Sequence, residues 1–201
     1  MKVWMDFTCP FCLIGLKRMK EALKDSKLES FKLSAFRLSP ELKENVNYME
    51  SLSKKYNVSM EKAMQMTMGP TNTLKDEGLD VDFSKIDELN TTKAHMLLKN
   101  FENDEKYLDL SYEIFTTYFV EAKNINDEKV LQEVLNKLKL DGDVKSILND
   151  DELLNKVLND TKLAKSEGIN LIPTIVLNSG EKVEGSQSTE NYLEIMNREA
   201  K

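Results

Sequence analysis

The chain has 201 residues, 40% of them hydrophobic and 31% charged, which is enough to bury one large core, as a single domain or as a domain carrying a big insertion. A net charge of −7 with acids and bases interspersed argues against nucleic acid or an anionic membrane as the main partner. No apolar run approaches the ~18 residues of a membrane span, and MKVWMDF lacks a signal-peptide pattern, so a soluble cytoplasmic protein is expected, where a disulfide is more often transient than structural.

Residues 2–7, KVWMDF, form an apolar, aromatic strand candidate that ends at Thr8 and Cys9. A helix should follow, because Pro10 suits a first helical position and Leu13, Leu16, Met19, Ala22 and Leu23 recur at helical spacing. A second strand, FKLSAFRL at 31–38, is stopped by Ser39-Pro40. From Glu41 to about Gly168 the pattern is helical, with helices predicted at 41–56, 59–68, 70–77, 85–101, 104–122, 127–138, 141–148 and 150–167. TIVLN (174–178) and KVEG (182–185) then flank Ser179-Gly180-Glu181 as a hairpin, and a last helix begins at Ser188 or Thr189.

The only two cysteines, Cys9 and Cys12, stand three positions apart where the first strand gives way to a helix. Thiols at that spacing suit half a zinc site, a structural pair or redox chemistry. Zinc usually takes four ligands and the one other strong candidate is the single histidine, His95. Pro10 and the helix start favour an accessible motif over a buried pair, which leaves redox chemistry ahead. Ile172-Pro173-Thr174 directly precedes the next strand, and Pro173 is either an ordinary trans proline or a cis one. Asp6 is a proton acceptor for Cys12 or a strand-end cap. His95, among Met96, Leu97 and Leu98, is a packing residue or a partner of the thiolate. Met60, Met64 and Met68 recur every four residues, which marks a core stripe or an adaptable apolar groove beside Cys9.

The order strand, helix, strand, helical block, helix, strand, strand, helix resembles a thioredoxin fold. It would be an α/β protein with a large all-helical insertion between the second strand and the helix before the cis-proline loop, residues 1–40 and 150–201 forming the thioredoxin-like domain and 41–149 the insertion. The motifs resemble those of the DsbA family, and within it the FrnE-like dithiol-disulfide oxidoreductases and isomerases. Asp6-Phe7-Thr8-Cys9-Pro10-Phe11-Cys12-Leu13-Ile14-Gly15 is similar to D-x-x-C-P-W-C-[YF]-I-G, with Phe11 for Trp and Leu13 for the aromatic. Phe36-Arg37-Leu38-Ser39-Pro40 resembles F-x-L-N-P, and Asn90-Thr91-Thr92-Lys93-Ala94-His95 resembles N-T-x-x-A-H. Tyr118-Phe119 through Lys123-Asn124-Ile125 is similar to Y-F-x-E-x-x-[DN]-I, and Gly185-Ser186-Gln187 to G-[AS]-Q.

The resemblance implies that Cys9 attacks and Cys12 resolves a mixed disulfide. A free thiol near pKa ~8.5 is mostly protonated at neutral pH, and in CxxC at a helix start the value can fall to roughly 3.5–7.5. First-turn amides, that of Cys12 included, are expected to point at the Cys9 sulfur, with the helix dipole adding to them. Pro10 stiffens the turn and Phe11 adds apolar surface for substrate. Pro173 would leave the N–H and C=O of Ile172 to pair with substrate backbone. No metal and no cofactor are expected beyond glutathione as a redox partner, and the partners would be proteins or small molecules carrying thiols or disulfides. Two other classes stay open: a kappa-class glutathione transferase or hydroxychromene-carboxylate isomerase, which usually carry serine at the Cys9 position, and a redox-sensing adaptor that binds a partner through the helical block.

Overall fold

The structure is a computed structural model that describes residues 1–200, and it is organised around one short, fully buried strand. β1 (Lys2–Met5) has Val3, Trp4 and Met5 buried on both faces, as expected of a central strand. It runs parallel to β2 (Lys32–Ala35), with Val3 opposite Leu33, and antiparallel to β5 (Thr174–Val176), with Val3 opposite Ile175. β5 continues through a hairpin into β6 (Lys182–Glu184), which makes the sheet order β2-β1-β5-β6. The helix α1 (Pro10–Leu23) links β1 to β2 and packs against the C-terminal helix α9 (Thr189–Glu199). A thioredoxin-like α/β fold is therefore present, and both ends of the chain build it.

The block between β2 and β5 is mostly helical: α2 (Tyr48–Tyr56), α3 (Met60–Asp76), α4 (Thr92–Asn100), α5 (Tyr107–Phe119), α6 (Glu128–Leu138), α7 (Val144–Leu148) and α8 (Asp151–Ser166). Its buried side chains join those of the sheet in one continuous core. Three expectations need correction. The predicted helix 41–56 starts only at Tyr48, and the predicted helix 85–101 only at Thr92. Between them lies a ribbon, β3 (Val46–Asn47) against β4 (Asp87–Glu88), so the insertion is not all-helical. Strands of two residues have no sequence period, and Asn47 both ends β3 and caps α2 by accepting from the amides of Met49 and Glu50.

The third correction is α3, expected as two helices broken at Gly69-Pro70 but continuous through Pro70. Pro70 offers no amide to the helix, at a cost of about 3 kcal/mol in an isolated one. Tertiary packing overrides that cost: Ala63, Thr67 and Leu74 form one buried face across the proline. Met60, Met64 and Met68 lie on the other face, 48%, 59% and 58% exposed, so they are not core residues.

β2 is an edge strand, and side chains close its free edge. The Tyr107 hydroxyl donates to the Leu33 carbonyl (3.2 Å) and accepts from the Leu33 amide (3.1 Å). Asp160 on α8 accepts from the Ala35 amide (2.9 Å) while ion-paired to Lys99 on α4 (2.8 Å). These contacts occupy backbone groups that would otherwise be open to another chain. Asp160→Ala removes the acceptor of a part-buried amide and the partner of Lys99, so it should lower unfolding stability by about 1–3 kcal/mol in urea titrations. An unchanged midpoint would show that the edge is held by packing alone.

Candidate active site

The chain leaves β1 through Asp6, Phe7 and Thr8 in a turn closed by the Cys9 amide on the Asp6 carbonyl (3.1 Å), and α1 starts at Pro10. Cys9 is the N-cap residue in extended conformation, with no capping bond from its side chain. The amides of Cys12 and Leu13 donate to the Cys9 carbonyl (3.0 and 3.3 Å), so the expectation that the Cys12 amide points at the Cys9 sulfur does not hold. The field of the helix start remains as the favourable term for negative charge there.

The Ile172–Pro173 peptide is cis, and this loop faces the N-terminus of α1. The Cys9 thiol donates to the Ile172 carbonyl at a sulfur–oxygen distance of 3.8 Å. That carbonyl, expected to be free for substrate, is thus occupied by the Cys9 thiol. The approach of α1 to the loop depends on Gly15. A Cβ there would come within 3.0 Å of the Tyr192 hydroxyl and 3.3 Å of Pro173 Cγ. Gly185, at φ +79°, donates to the Pro173 carbonyl (2.8 Å) and holds the loop from behind.

The two cysteines are both free thiols and differ in environment. Against the expectation of an accessible motif both are buried: Cys9, 6% exposed, still lines a cavity, whereas Cys12, 1% exposed, lies one turn deeper and is not part of that lining. Burial pushes the Cys12 thiol well above its ordinary pKa, and its hydrogen bond to Cys9 adds to the effect. Asp6 is completely buried beside it. Its Oδ1 accepts from the Thr8 amide (3.1 Å) and its other oxygen from the Leu38 amide. Burial raises the Asp6 pKa from 3.8 to about 6, against the opposing pull of the Leu38 and Thr8 amides.

The cavity, about 370 Å³, lies between the cysteine motif, the Ile172 loop and the helical block. Phe11 and Leu171 stand 45% and 49% exposed along it, and Tyr48, Phe83 and Pro70 add to its apolar walls. α3 contributes Met66, Thr67 and Pro70, while Met60, Met64 and Met68 do not line it.

His95 is 3% exposed and packs on Phe7, with ring centroids 4.8 Å apart. Burial, aided by Lys99 and Arg37, lowers its pKa to about 3, so it is neutral at neutral pH, and it is not part of the cavity lining. The segment Asn90–His95 instead docks the loop after β2. Asn90 donates to the Pro40 carbonyl (2.8 Å), and Arg37 donates to Thr92 Oγ1 (2.9 Å). That docking places Ser39 against Glu88, its hydroxyl donating to Glu88 Oε1 (2.6 Å). Sequence reasoning missed Glu88 and Tyr48 because both fall inside predicted helices, 85–101 and 41–56, with no signal of the cavity they line. Ser39-Pro40 was visible as a motif, with no signal of what it would touch.

Among the described residues, no group of three or more histidine, cysteine, aspartate or glutamate side chains is arranged to hold a metal ion, and no helix is long and apolar enough to cross a membrane. The chain is similar to the uncharacterized protein YwbO of Bacillus subtilis (strain 168), 24% identical over 88% of this chain and 85% of YwbO. The fold matches the "probable DsbA oxidoreductase SCO1869" of Streptomyces coelicolor at a TM-score of 0.85, with 23% identity over 98% of this chain and 88% of that one. It also matches the cytosolic disulfide reductase DsbM of Pseudomonas aeruginosa, solved with glutathione, at a TM-score of 0.59, with 16% identity over 99% and 94% of the two chains. The model of the DSBA-like thioredoxin domain family matches residues 1–197, nearly the whole length, and the chain accordingly belongs to that family.

Proposed function

We propose that the protein exchanges disulfides through Cys9-Pro10-Phe11-Cys12 by way of a mixed disulfide on Cys9, as an oxidoreductase or isomerase acting in the cytoplasm on thiols and disulfides of proteins or small molecules. The observation that carries this reading is the asymmetry of the pair, with Cys9 on the cavity wall and Cys12 buried beneath it. In the reducing direction the Cys9 thiolate attacks one sulfur of the substrate disulfide, that bond breaks, and the other half leaves as a thiolate. Cys12 loses its proton to Asp6, attacks the Cys9 sulfur and releases the second half. The substrate gains two electrons and two protons, and the cysteine pair loses them as it becomes a disulfide. Glutathione is the proposed donor that returns them. Residues 1–40 and 150–201 carry the thiol chemistry in this reading, and residues 41–149 supply the facing wall, with Phe11, Pro10, Ile172 and Pro173 holding the substrate next to the sulfur.

Mixing the reduced protein with glutathione disulfide, quenching in acid and mapping the products by mass tests this. The expected products are a transient glutathione adduct on Cys9 and then loss of two hydrogens across Cys9 and Cys12. A stable adduct on Cys12, or no oxidation of either thiol, would defeat the proposal.

A further inference from the structure

The cavity wall carries a buried acid that the exchange reaction does not use. Glu88 lines the same cavity as Cys9 and is 7% exposed. The β3–β4 pairing sets its position, opposite Val46, and the Ser39 hydroxyl holds one carboxylate oxygen. Thr8, next to Cys9 in the chain, lines the same cavity. Burial raises the Glu88 pKa above the ordinary glutamate value, and Lys55, an exposed residue of the lining, opposes that only at a distance. Among the described residues no basic side chain forms an ion pair with Glu88, whereas Glu77, for example, is paired to both Lys17 and Arg18. A buried acid without a counter-charge is costly when ionised. The ribbon that carries it is made by backbone pairing and does not require a carboxylate.

We infer that Glu88 sets the specificity of this cavity, and that the preferred substrate is a small disulfide with an ammonium group a few bonds from its sulfur. The inference rests on the function proposed above. A cavity of about 370 Å³ is at the small end of ligand sites and suits one low-molecular-weight disulfide. An ammonium group supplies the missing counter-charge and makes a charge-assisted hydrogen bond to the carboxylate. A neutral analogue leaves the acid unpaired, and an anionic one sets like charges together, so discrimination arises from penalties on the wrong ligand as well as attraction for the right one. Glu88, Thr8 and Cys9 line the same cavity, so this charge and the attacking sulfur face one bound ligand.

Single-turnover oxidation of the reduced protein by cystamine, N,N′-diacetylcystamine and 3,3′-dithiodipropionate tests the inference, each rate divided by that of the same disulfide with dithiothreitol. The first two share a skeleton and differ in charge. The normalised rates should favour cystamine over its diacetyl form by about tenfold or more and place the dianion last, and Glu88→Gln should bring the first ratio close to one. A wild-type ratio below about twofold, or one kept by Glu88→Gln, overturns the role of Glu88. If diacetylcystamine still oxidises Cys9 in that case, disulfide exchange stands and only the specificity falls. If none of the three oxidises Cys9, the proposed function fails and the inference fails with it. The wild-type comparison needs no variant, so poor folding of Glu88→Gln leaves the test decisive.

Discussion

Replacing Cys9 with serine should reduce turnover of a model disulfide to the uncatalysed rate, whereas Cys12→Ser should hold the substrate on Cys9 as a mixed disulfide. A hydroxyl at the N-cap keeps the helix start, since serine caps well, and removes only the nucleophilic sulfur. Loss of activity would therefore report chemistry, and unchanged thermal unfolding of Cys9→Ser would confirm that the fold is intact. In Cys12→Ser the attacking sulfur remains at the cavity wall and nothing beneath it can release the adduct. Non-reducing gels and mass mapping should find that adduct on Cys9. Full activity in Cys9→Ser would end the redox reading. Glutathione-dependent chemistry that survives both substitutions would point instead to a transferase- or isomerase-like enzyme, and capture of a partner by the double-serine protein to an adaptor.

Asp6→Asn should stabilise the protein at pH 7 while slowing its chemistry. The sign follows from the raised pKa. Folding lifts the Asp6 value from 3.8 to about 6, so the folded state holds this proton more tightly than the unfolded state does. The resulting stability is fully present below about pH 3.8 and is lost as pH rises through about 6. At neutral pH the wild type thus carries a buried charge that an unfolded chain would bear at little cost, a difference of about 3 kcal/mol. Asparagine keeps an acceptor for the Thr8 amide and has no charge, so urea unfolding at pH 7 should show it more stable by up to that amount, with the gain shrinking toward pH 4. The same substitution removes the proposed proton acceptor for Cys12, whose own pKa burial has raised. Release of the mixed disulfide should slow by roughly 10²-fold. The wild-type rate of that step should rise with pH through about 6, and the variant should lack the rise. A destabilised Asp6→Asn would show that the lost bond from the Leu38 amide outweighs the charge.

Much of this site is local and was open to sequence reading. Cys9, Pro10 and Cys12 are placed by the change from a strand to a helix, and periodicity plus a proline at the first helical position are enough to locate it. The Ile172-Pro173 loop and the C-terminal hairpin were legible for the same reason, as punctuation directly before a strand. The hydrophobic pattern also located most of the later helices, such as α6 at Glu128–Leu138, where apolar spacing and the Asp127 cap agree. Local signals failed where packing overruled them. Pro70 reads as a break, and α3 passes through it because Ala63, Thr67 and Leu74 are buried on one side. The methionine stripe reads as core, and it faces solvent because that buried side is occupied by smaller residues.

By itself, then, the sequence determined where the two cysteines stand, since a CxxC motif at a helix start is made by consecutive residues. Only the tertiary structure decided what faces those sulfurs. The Ile172 carbonyl at Cys9, Asp6 held by the Leu38 amide, and Glu88 set in the cavity wall by Ser39 and a two-residue ribbon are contacts between segments far apart in the chain. Their pKa values and partners depend on burial, and burial is a property of the packed core rather than of any one stretch of residues.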